Sequence, residues 1–184
     1  MTKRALTDYI VELKGLLSRE LCQQILSKFE LSNEFHKGSQ HLVDYNRNLI
    51  KVAAAKFDAI VIPNESELGE FLQHKFNVAF EEYKLQVDMH VFEIDRDRPI
   101  AIQRYVTGAD TENHVDSSRD NPPHLTCSIA LNDDFSGGEL SFFNSQYFTG
   151  GGAGTAILFP GNFMYPHKVE TIKSGTRYSL VKRW

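Results

Sequence analysis

The chain has 184 residues, of which 41% are hydrophobic and 24% are charged, with a formal net charge of −4. This length suits one domain with a sizeable core, and the negative charge argues against a protein that binds nucleic acid non-specifically. No segment has the roughly twenty consecutive apolar residues of a membrane span.

Cysteine usage and the N-terminus bear on the cellular compartment. Cys22 and Cys127 are the only cysteines, and both lie in apolar patterns, so we expect two reduced thiols in the core. Two cysteines are too few for a four-cysteine zinc site. The first residues lack the continuous apolar run of a signal peptide. The sequence therefore predicts a cytoplasmic protein.

The N-terminal half predicts two helices. Ser18 can cap a helix over residues 18–30, because its hydroxyl can accept a hydrogen bond from the amides of the first turn. Apolar residues follow it at helical spacing. Asn64 or Ser66 can cap a second helix, whose apolar stripe extends to Tyr83.

The segment between these helices, residues 32–50, is polar and shows no clear period. It predicts a long surface connection, and such loops often cover binding sites. Together with residues 116–123 it is our candidate for a substrate-covering loop. We expect His36, His41 and His74 to face solvent.

Beyond Tyr83 the apolar spacing changes from 3.6 to about 2, which is typical of strands. The predicted strands, with a short one at the N-terminus, are residues 9–13, 85–95, 99–106, 124–132, 139–144, 155–159 and 176–183. Helices followed by many short strands predict an α+β fold with helices packed against one sheet of an antiparallel sandwich or barrel. We divide it into a support region at residues 1–84 and a core at residues 85–184, both parts of one domain.

The candidate site centres on His114-Val115-Asp116. In an extended segment, residues two apart point to the same side, so His114 and Asp116 can present a nitrogen and a carboxylate oxygen to one point. His167, just before a strand-like segment, can complete two histidines and one carboxylate, the ligand set of non-haem Fe(II) oxygenases. A His-x-acid triplet arises by chance roughly once in a chain of this composition, so the triplet alone does not predict a metal site and the surrounding residues have to be considered. His90 and His124 have no such context, and we expect them to be structural.

An ordered set of motifs surrounds these residues. It comprises Tyr105-x-x-Gly108, His114-x-Asp116, Thr126-x-Ser-Ile-Ala-Leu-Asn132, Gly137-Gly-Glu139-Leu, Leu158-Phe-Pro160, Pro166-His167-x-Val169 and Gly175-Thr-Arg177-Tyr-Ser179. In order and spacing this set resembles the Fe(II)- and 2-oxoglutarate-dependent dioxygenases of the prolyl 4-hydroxylase type. The resemblance covers about half of the chain.

The resemblance implies a double-stranded β-helix, or jelly-roll, core and a role for each matching residue. His114, Asp116 and His167 would ligate Fe(II), and Arg177 would bind the distal carboxylate of 2-oxoglutarate. Tyr105 would assist at that carboxylate or border the substrate pocket, and Ser179 would be a second contact of the co-substrate. The implied cofactors are Fe(II), 2-oxoglutarate and dioxygen, with ascorbate as a further candidate. Trp184, at the end of the last strand, is our candidate for a residue bordering the substrate entrance.

The implied reaction is hydroxylation of a C–H bond, with a prolyl residue of a peptide or protein as the leading substrate. The carboxylate of Asp116 favours hydroxylation, because related halogenases have a small residue at that position. Other side chains, free amino acids and small metabolites remain open as substrates. A cupin-like module would normally show His-x-His, and a silent binding module would have lost a ligand or the arginine. We expect no nucleic-acid or membrane partner, and the oligomeric state stays open.

Overall fold

A computed structural model describes residues 4–30, 34–43, 49–89, 94, 98–117 and 123–184. Its N-terminal half contains a short 3-10 helix, three strands and two helices. These are the 3-10 helix Leu6–Tyr9, β1 Val11–Leu13, α1 Arg19–Phe29, β2 His36–Val43, β3 Leu49–Ile62 and α2 Glu67–Val87.

Both helices begin at the predicted serine caps. The Ser18 hydroxyl accepts from the Leu21 amide at 3.2 Å, and the Ser66 hydroxyl accepts from the Gly69 amide at 3.0 Å. Each bond satisfies an amide that has no partner inside its helix. The prediction of a helix over 18–30 is confirmed, and Ser66 rather than Asn64 caps the second helix.

The second helix continues further than the sequence pattern indicated. It runs to Val87 and ends at Asp88, whose φ of 55° is left-handed. The predicted strand at 85–95 is therefore wrong at its start, since Val87 is buried on the same helical stripe as Phe80 and Tyr83. His90 and most of that predicted strand lie outside the described residues.

The irregular loop expected at residues 32–50 is also wrong. Residues 36–43 form β2, which pairs antiparallel with β3, and β3 in turn pairs with residues 100–104 of the C-terminal half. Because β2 is at the edge of its sheet, it pairs through its backbone on one side and needs no alternating apolar pattern. His36 and His74 are exposed as predicted, whereas the side chain of His41 lies outside the described residues.

The C-terminal half is built from nine strands in the described residues. They are β4 Ile100–Val106, β5 Leu125–Ala130, β6 Ser136–Gly137, β7 Leu140–Phe142, β8 Tyr147–Phe148, β9 Ala156–Pro160, β10 His167–Val169, β11 Ile172–Ser174 and β12 Thr176–Arg183. One sheet has the order β1-β9-β5-β12-β4-β3-β2, and smaller sheets have the orders β10-β7-β8 and β11-β6.

The two faces of the seven-stranded sheet bury different clusters. Against one face lies α2, whose Phe76 and Phe80 share a core with Leu180 and Trp184. On the other face, Tyr105 and Phe159 pack with side chains of the smaller sheets; these are Leu140, Phe142, Val169 and Ile172. This is a jelly roll with helices on one sheet, so the predicted fold class is confirmed. Among the described residues, no helix is long and apolar enough to cross a membrane.

Candidate metal centre and its anion pocket

His114 and His167 are held directly opposite each other by their own backbones. The His114 amide donates to the His167 carbonyl at 2.9 Å, and the His167 amide donates to the His114 carbonyl at 2.8 Å. This reciprocal pair is an isolated antiparallel bridge, with His167 at the start of β10. Two residues far apart in sequence therefore project neighbouring imidazoles from a rigid support.

Each imidazole has one nitrogen fixed by a backbone carbonyl. His114 Nδ1 lies 2.8 Å from the Glu112 oxygen, and His167 Nδ1 lies 3.0 Å from the Tyr165 oxygen. A carbonyl can only accept, so both Nδ1 atoms carry the proton, and in the neutral form of each ring the lone pair is then on Nε2. Metal-binding histidines are oriented in this way by a second hydrogen bond.

Asp116 completes a group that could hold a metal ion. Its Oδ1 is 3.9 Å from His114 Nε2, and its Oδ2 is 3.7 Å from His167 Nε2. The three candidate ligand atoms all lie within 4.8 Å of one another. The structure therefore brings together the three residues that the sequence singled out.

The protonation states of these groups suit metal ligation. Burial alone would raise the pKa of Asp116, but the charge of Arg183, the neighbouring His167 and hydrogen bonds lower it well below its usual range. Burial lowers the pKa of His167 to about 4, although Asp116 partly offsets the shift. At neutral pH the site thus presents a carboxylate and a neutral imidazole, which are the forms that bind metals.

The Arg177 guanidinium lies buried in the same region. Its Nη1 donates to the Ser179 hydroxyl at 3.0 Å, and its Cζ lies 5.4 Å from the centre of the Tyr105 ring. Burial lowers the pKa of Arg177, yet arginine stays charged at any physiological pH. None of the described carboxylates forms an ion pair with it. A buried cation without a counter-ion is costly, and the planar guanidinium has the charge and the shape that suit an anion.

Tyr105 and Gly138 shape the surroundings of Arg177. The Tyr105 hydroxyl donates to Gln103 Oε1 at 3.1 Å, and burial raises its pKa to about 12, so it remains a neutral donor. A Cβ on Gly138 would lie 3.2 Å from Arg177 Cδ and 2.3 Å from Ile172 Cδ1. Gly138 also has a φ of 72°, a left-handed conformation that favours glycine, so a side chain here would be strained and would crowd the arginine.

One cavity of about 290 Å³ joins the two parts of the site. His114, Asp116 and His167 lie on its wall, as do Tyr105 and Arg177. Apolar side chains complete much of the lining; they are Phe57, Leu140, Phe159, Val169 and Val181. Ser179 is fully buried and does not line the cavity, so its contact in this structure is with Arg177.

The expectation that Trp184 borders the substrate entrance is wrong. Its side chain is only 1% exposed, and its ring centre lies 6.0 Å from that of Phe76 and 5.6 Å from that of Phe80. The reason is the alternation of β12: Arg177 faces the cavity, and Trp184, an odd number of positions later, faces α2.

Sequence reasoning missed two residues that hold Asp116. Arg183 Nη2 forms an ion pair with Asp116 Oδ1 at 2.9 Å, and the Thr126 hydroxyl donates to Oδ2 at 2.6 Å. Arg183 lies on the same strand as Arg177, an even number of positions later, so both side chains point to the same side. This spacing could have identified Arg183 from the sequence. His124 is exposed, outside the site.

Comparison with known proteins identifies the C-terminal half. Residues 100–184 match the model of the 2OG-Fe(II) oxygenase superfamily. Residues 100–184 belong to this superfamily. This match indicates a 2-oxoglutarate-dependent dioxygenase core in residues 100–184, for which the cofactor set is Fe(II), 2-oxoglutarate and dioxygen. The cupin-like and silent-module alternatives are not supported.

Solved structures of prolyl hydroxylases share the fold over nearly the whole chain. A Pseudomonas putida prolyl-4-hydroxylase has a TM-score of 0.68 at 17% identity, covering 95% of this chain and 90% of its own. A Trichoplax adhaerens prolyl hydroxylase in complex with a hypoxia inducible factor peptide fragment has a TM-score of 0.68 at 14% identity, over 95% and 82% of the two chains. The viral collagen prolyl hydroxylase of Paramecium Bursaria Chlorella virus-1 has a TM-score of 0.64 at 19% identity, covering 95% of this chain and 94% of its own. No curated protein sequence matches significantly.

Proposed function

We propose that this dioxygenase hydroxylates a prolyl residue in a peptide or protein. The observation that carries the chemistry is one cavity that holds three clustered donor atoms and a guanidinium that pairs with none of the described carboxylates. The prolyl substrate is supported by the three prolyl hydroxylases of similar fold, one of which is in complex with a peptide. Other side chains, free amino acids and small metabolites are the alternatives on the same scaffold.

The residues present fit the cofactor set. His114, Asp116 and His167 would hold Fe(II), because two imidazoles and a carboxylate on one side leave the remaining metal positions open. Arg177 would bind the distal carboxylate of 2-oxoglutarate, with the Tyr105 hydroxyl beside it. The uncompensated charge of Arg177 supports this role, since a planar guanidinium suits a carboxylate.

The protein contributes orientation and a dry environment. Bound at this site, Fe(II) together with 2-oxoglutarate and dioxygen supplies the oxidation that converts C–H to C–OH, with release of succinate and carbon dioxide. The backbone pair between His114 and His167 holds the imidazoles in place. Phe57, Phe159 and Val181 exclude water from the cavity wall, which protects a reactive centre from side reactions.

The whole chain forms one domain in our proposal. Support comes from β1 and β3, which belong to the first half of the chain but pair with β9 and β4 of the second half. The boundary expected after residue 84 falls inside α2, so we move it to Asp88. Cytoplasmic localisation stays a prediction.

Two measurements test the proposed function. Succinate formation from 2-oxoglutarate by the iron-loaded protein, without any substrate, tests the oxygenase chemistry. Mass spectrometry of prolyl peptides before and after reaction tests the substrate, and we expect a gain of one oxygen atom that requires 2-oxoglutarate. Succinate without any oxidised peptide would contradict the prolyl assignment alone, whereas no succinate would contradict the whole proposal.

A further inference from the structure

A second arginine lies in the cavity at a distance from the first. Arg183 follows Arg177 by six positions on β12, so both side chains face the cavity. Six residues of strand span about 20 Å. The side chain of Arg177 lies beside Tyr105 and Ser179, whereas that of Arg183 lies beside Asp116 and so belongs to the part of the cavity with the metal-binding group.

The side chain of Arg183 is more accessible to solvent than that of Asp116, with which it forms an ion pair. It is 39% exposed, whereas Asp116 is 3% exposed. Asp116 uses Oδ1 for Arg183 and Oδ2 for the Thr126 hydroxyl. A guanidinium has five N–H donors. Because Arg183 contacts only one oxygen of Asp116, some of its N–H groups point away from that carboxylate.

The charges of the cavity do not balance. Among the described lining residues, Arg177 and Arg183 are positive and Asp116 is negative, while histidines that ligate a metal are neutral. Fe(II) adds two positive charges and 2-oxoglutarate adds two negative charges, so loading both leaves the net charge of the cavity unchanged. The loaded site thus keeps one positive charge in excess, which attracts an anionic substrate.

Metal ligation makes Arg183 more available. Once Asp116 shares its negative charge with a divalent cation, its ion pair with Arg183 weakens. Thr126 still holds the carboxylate through its hydroxyl. The guanidinium can then turn toward a second anion at the metal end of the cavity, where the reacting C–H bond must lie.

We propose that Arg183 binds a carboxylate of the substrate, adjacent to the carbon that is hydroxylated. This inference rests on the proposed function and narrows its substrate class to acidic prolyl compounds. The carboxylate belongs either to a peptide, as a C-terminal proline or an acidic neighbour, or to free proline. Arg183 acts as a specificity-determining residue, and Arg177 serves the co-substrate.

The test compares matched acids and amides. The probes are a peptide ending in proline as free acid or amide, a peptide with Pro-Asp or Pro-Asn, and free L-proline or prolinamide. Binding to the full chain loaded with Mn(II) and 2-oxoglutarate is measured by calorimetry, and kcat/KM by succinate formation with Fe(II). We expect the acid of at least one pair to be favoured by about tenfold or more, since a hydrogen bond to a charged group contributes on the order of a tenfold to hundredfold effect.

Variants assign this preference to Arg183. Arg183→Gln should bring the acid-to-amide ratio close to one, and Arg183→Lys should retain part of it. Thr126→Val is the matched control, because it removes the other hydrogen bond to Asp116 without changing the charge and should keep the preference. Equal binding of acid and amide by the unmodified protein, or binding of neither, overturns the inference. A preference that survives in Arg183→Gln overturns it as well.

The same experiments separate this inference from the proposed function. Succinate formation by the unmodified protein without substrate depends only on the oxygenase chemistry. Its absence contradicts the proposed function. Its presence together with equal use of acids and amides contradicts the role of Arg183 alone. Which pair shows the preference distinguishes a peptide carboxylate from that of free proline.

Discussion

His114 and His167 exchange two backbone hydrogen bonds, so their imidazoles are placed by the sheet rather than by a loop. The two amide-to-carbonyl distances are 2.9 and 2.8 Å. Their ring centres lie 4.5 Å apart, and both Nδ1 atoms are anchored to carbonyls. A site supported in this way is organised before a metal binds, and this lowers the cost of binding.

Removing His167 should abolish metal binding while leaving the fold in place. We expect His167→Ala to lower Fe(II) affinity by about a hundredfold or more, since even the partners of metal ligands are worth tenfold to a hundredfold. Anaerobic addition of Fe(II) and 2-oxoglutarate should give a weak visible charge-transfer band in the unmodified protein and none in the variant. His74→Ala, on the exposed side of α2, is the control and should keep the band.

Arg177→Met should weaken binding of 2-oxoglutarate without weakening binding of the metal. The guanidinium is a buried cation with no described carboxylate partner, and its loss removes charge-assisted hydrogen bonds to 2-oxoglutarate worth about 1.5–3 kcal/mol each. Titration of the Mn(II)-loaded protein with 2-oxoglutarate measures the effect, and we expect a drop of at least tenfold. Equal affinity in this variant would remove the assigned role.

Ser179→Ala asks whether the serine contacts the co-substrate or only Arg177. In the structure its hydroxyl accepts from Arg177 Nη1 and does not line the cavity. We expect a much smaller loss of 2-oxoglutarate affinity than in Arg177→Met, about threefold to tenfold, because one neutral partner of the guanidinium is lost. A loss as large as that of the arginine variant would indicate direct contact with the co-substrate.

Local patterns predicted much of this structure. The last strand was expected at 176–183 and is found there, because a glycine turn precedes it and its residues alternate between two buried faces. The metal triplet was predicted from the same alternation. The cap of α1 at Ser18 needed only a hydroxyl before an amphipathic stripe.

The features that the sequence did not predict have physical causes of two kinds. The β2–β3 hairpin carries no alternating pattern, since its pairing is a matter of backbone bonds at a sheet edge. Counting positions from Arg177 places Arg183 on the cavity face of β12, but its ion pair with Asp116 joins residues from different parts of the fold and could not be predicted from local spacing. The error at Trp184 could have been avoided from the sequence, because Trp184 is an odd number of positions after Arg177 and so faces away from the cavity.

Trp184 should matter for stability rather than for substrate binding. Trp184→Ala removes a fully buried ring from between Phe76 and Phe80, and we expect a loss of about 3–5 kcal/mol in the free energy of unfolding. Trp184→Phe should cost less, because the buried indole Nε1 has no hydrogen-bond partner in the structure. Denaturant titration measures both. Phe163→Ala, at a position 80% exposed, should stay within about 0.5 kcal/mol.

Asp58 should make the stability of the apoprotein depend on acid pH. Burial would raise its pKa, but Lys37 at 2.7 Å and Arg104 at 2.9 Å lower it below the ordinary value of an aspartate. Its stabilisation is therefore complete above the unfolded value, about 3.9, and is lost as the pH falls through the lower folded value. We expect Asp58→Asn to destabilise the protein at neutral pH and to flatten the fall in unfolding free energy below pH 4. Denaturant titrations of both proteins across this range measure it, and parallel curves would show that Asp58 contributes nothing to the acid dependence.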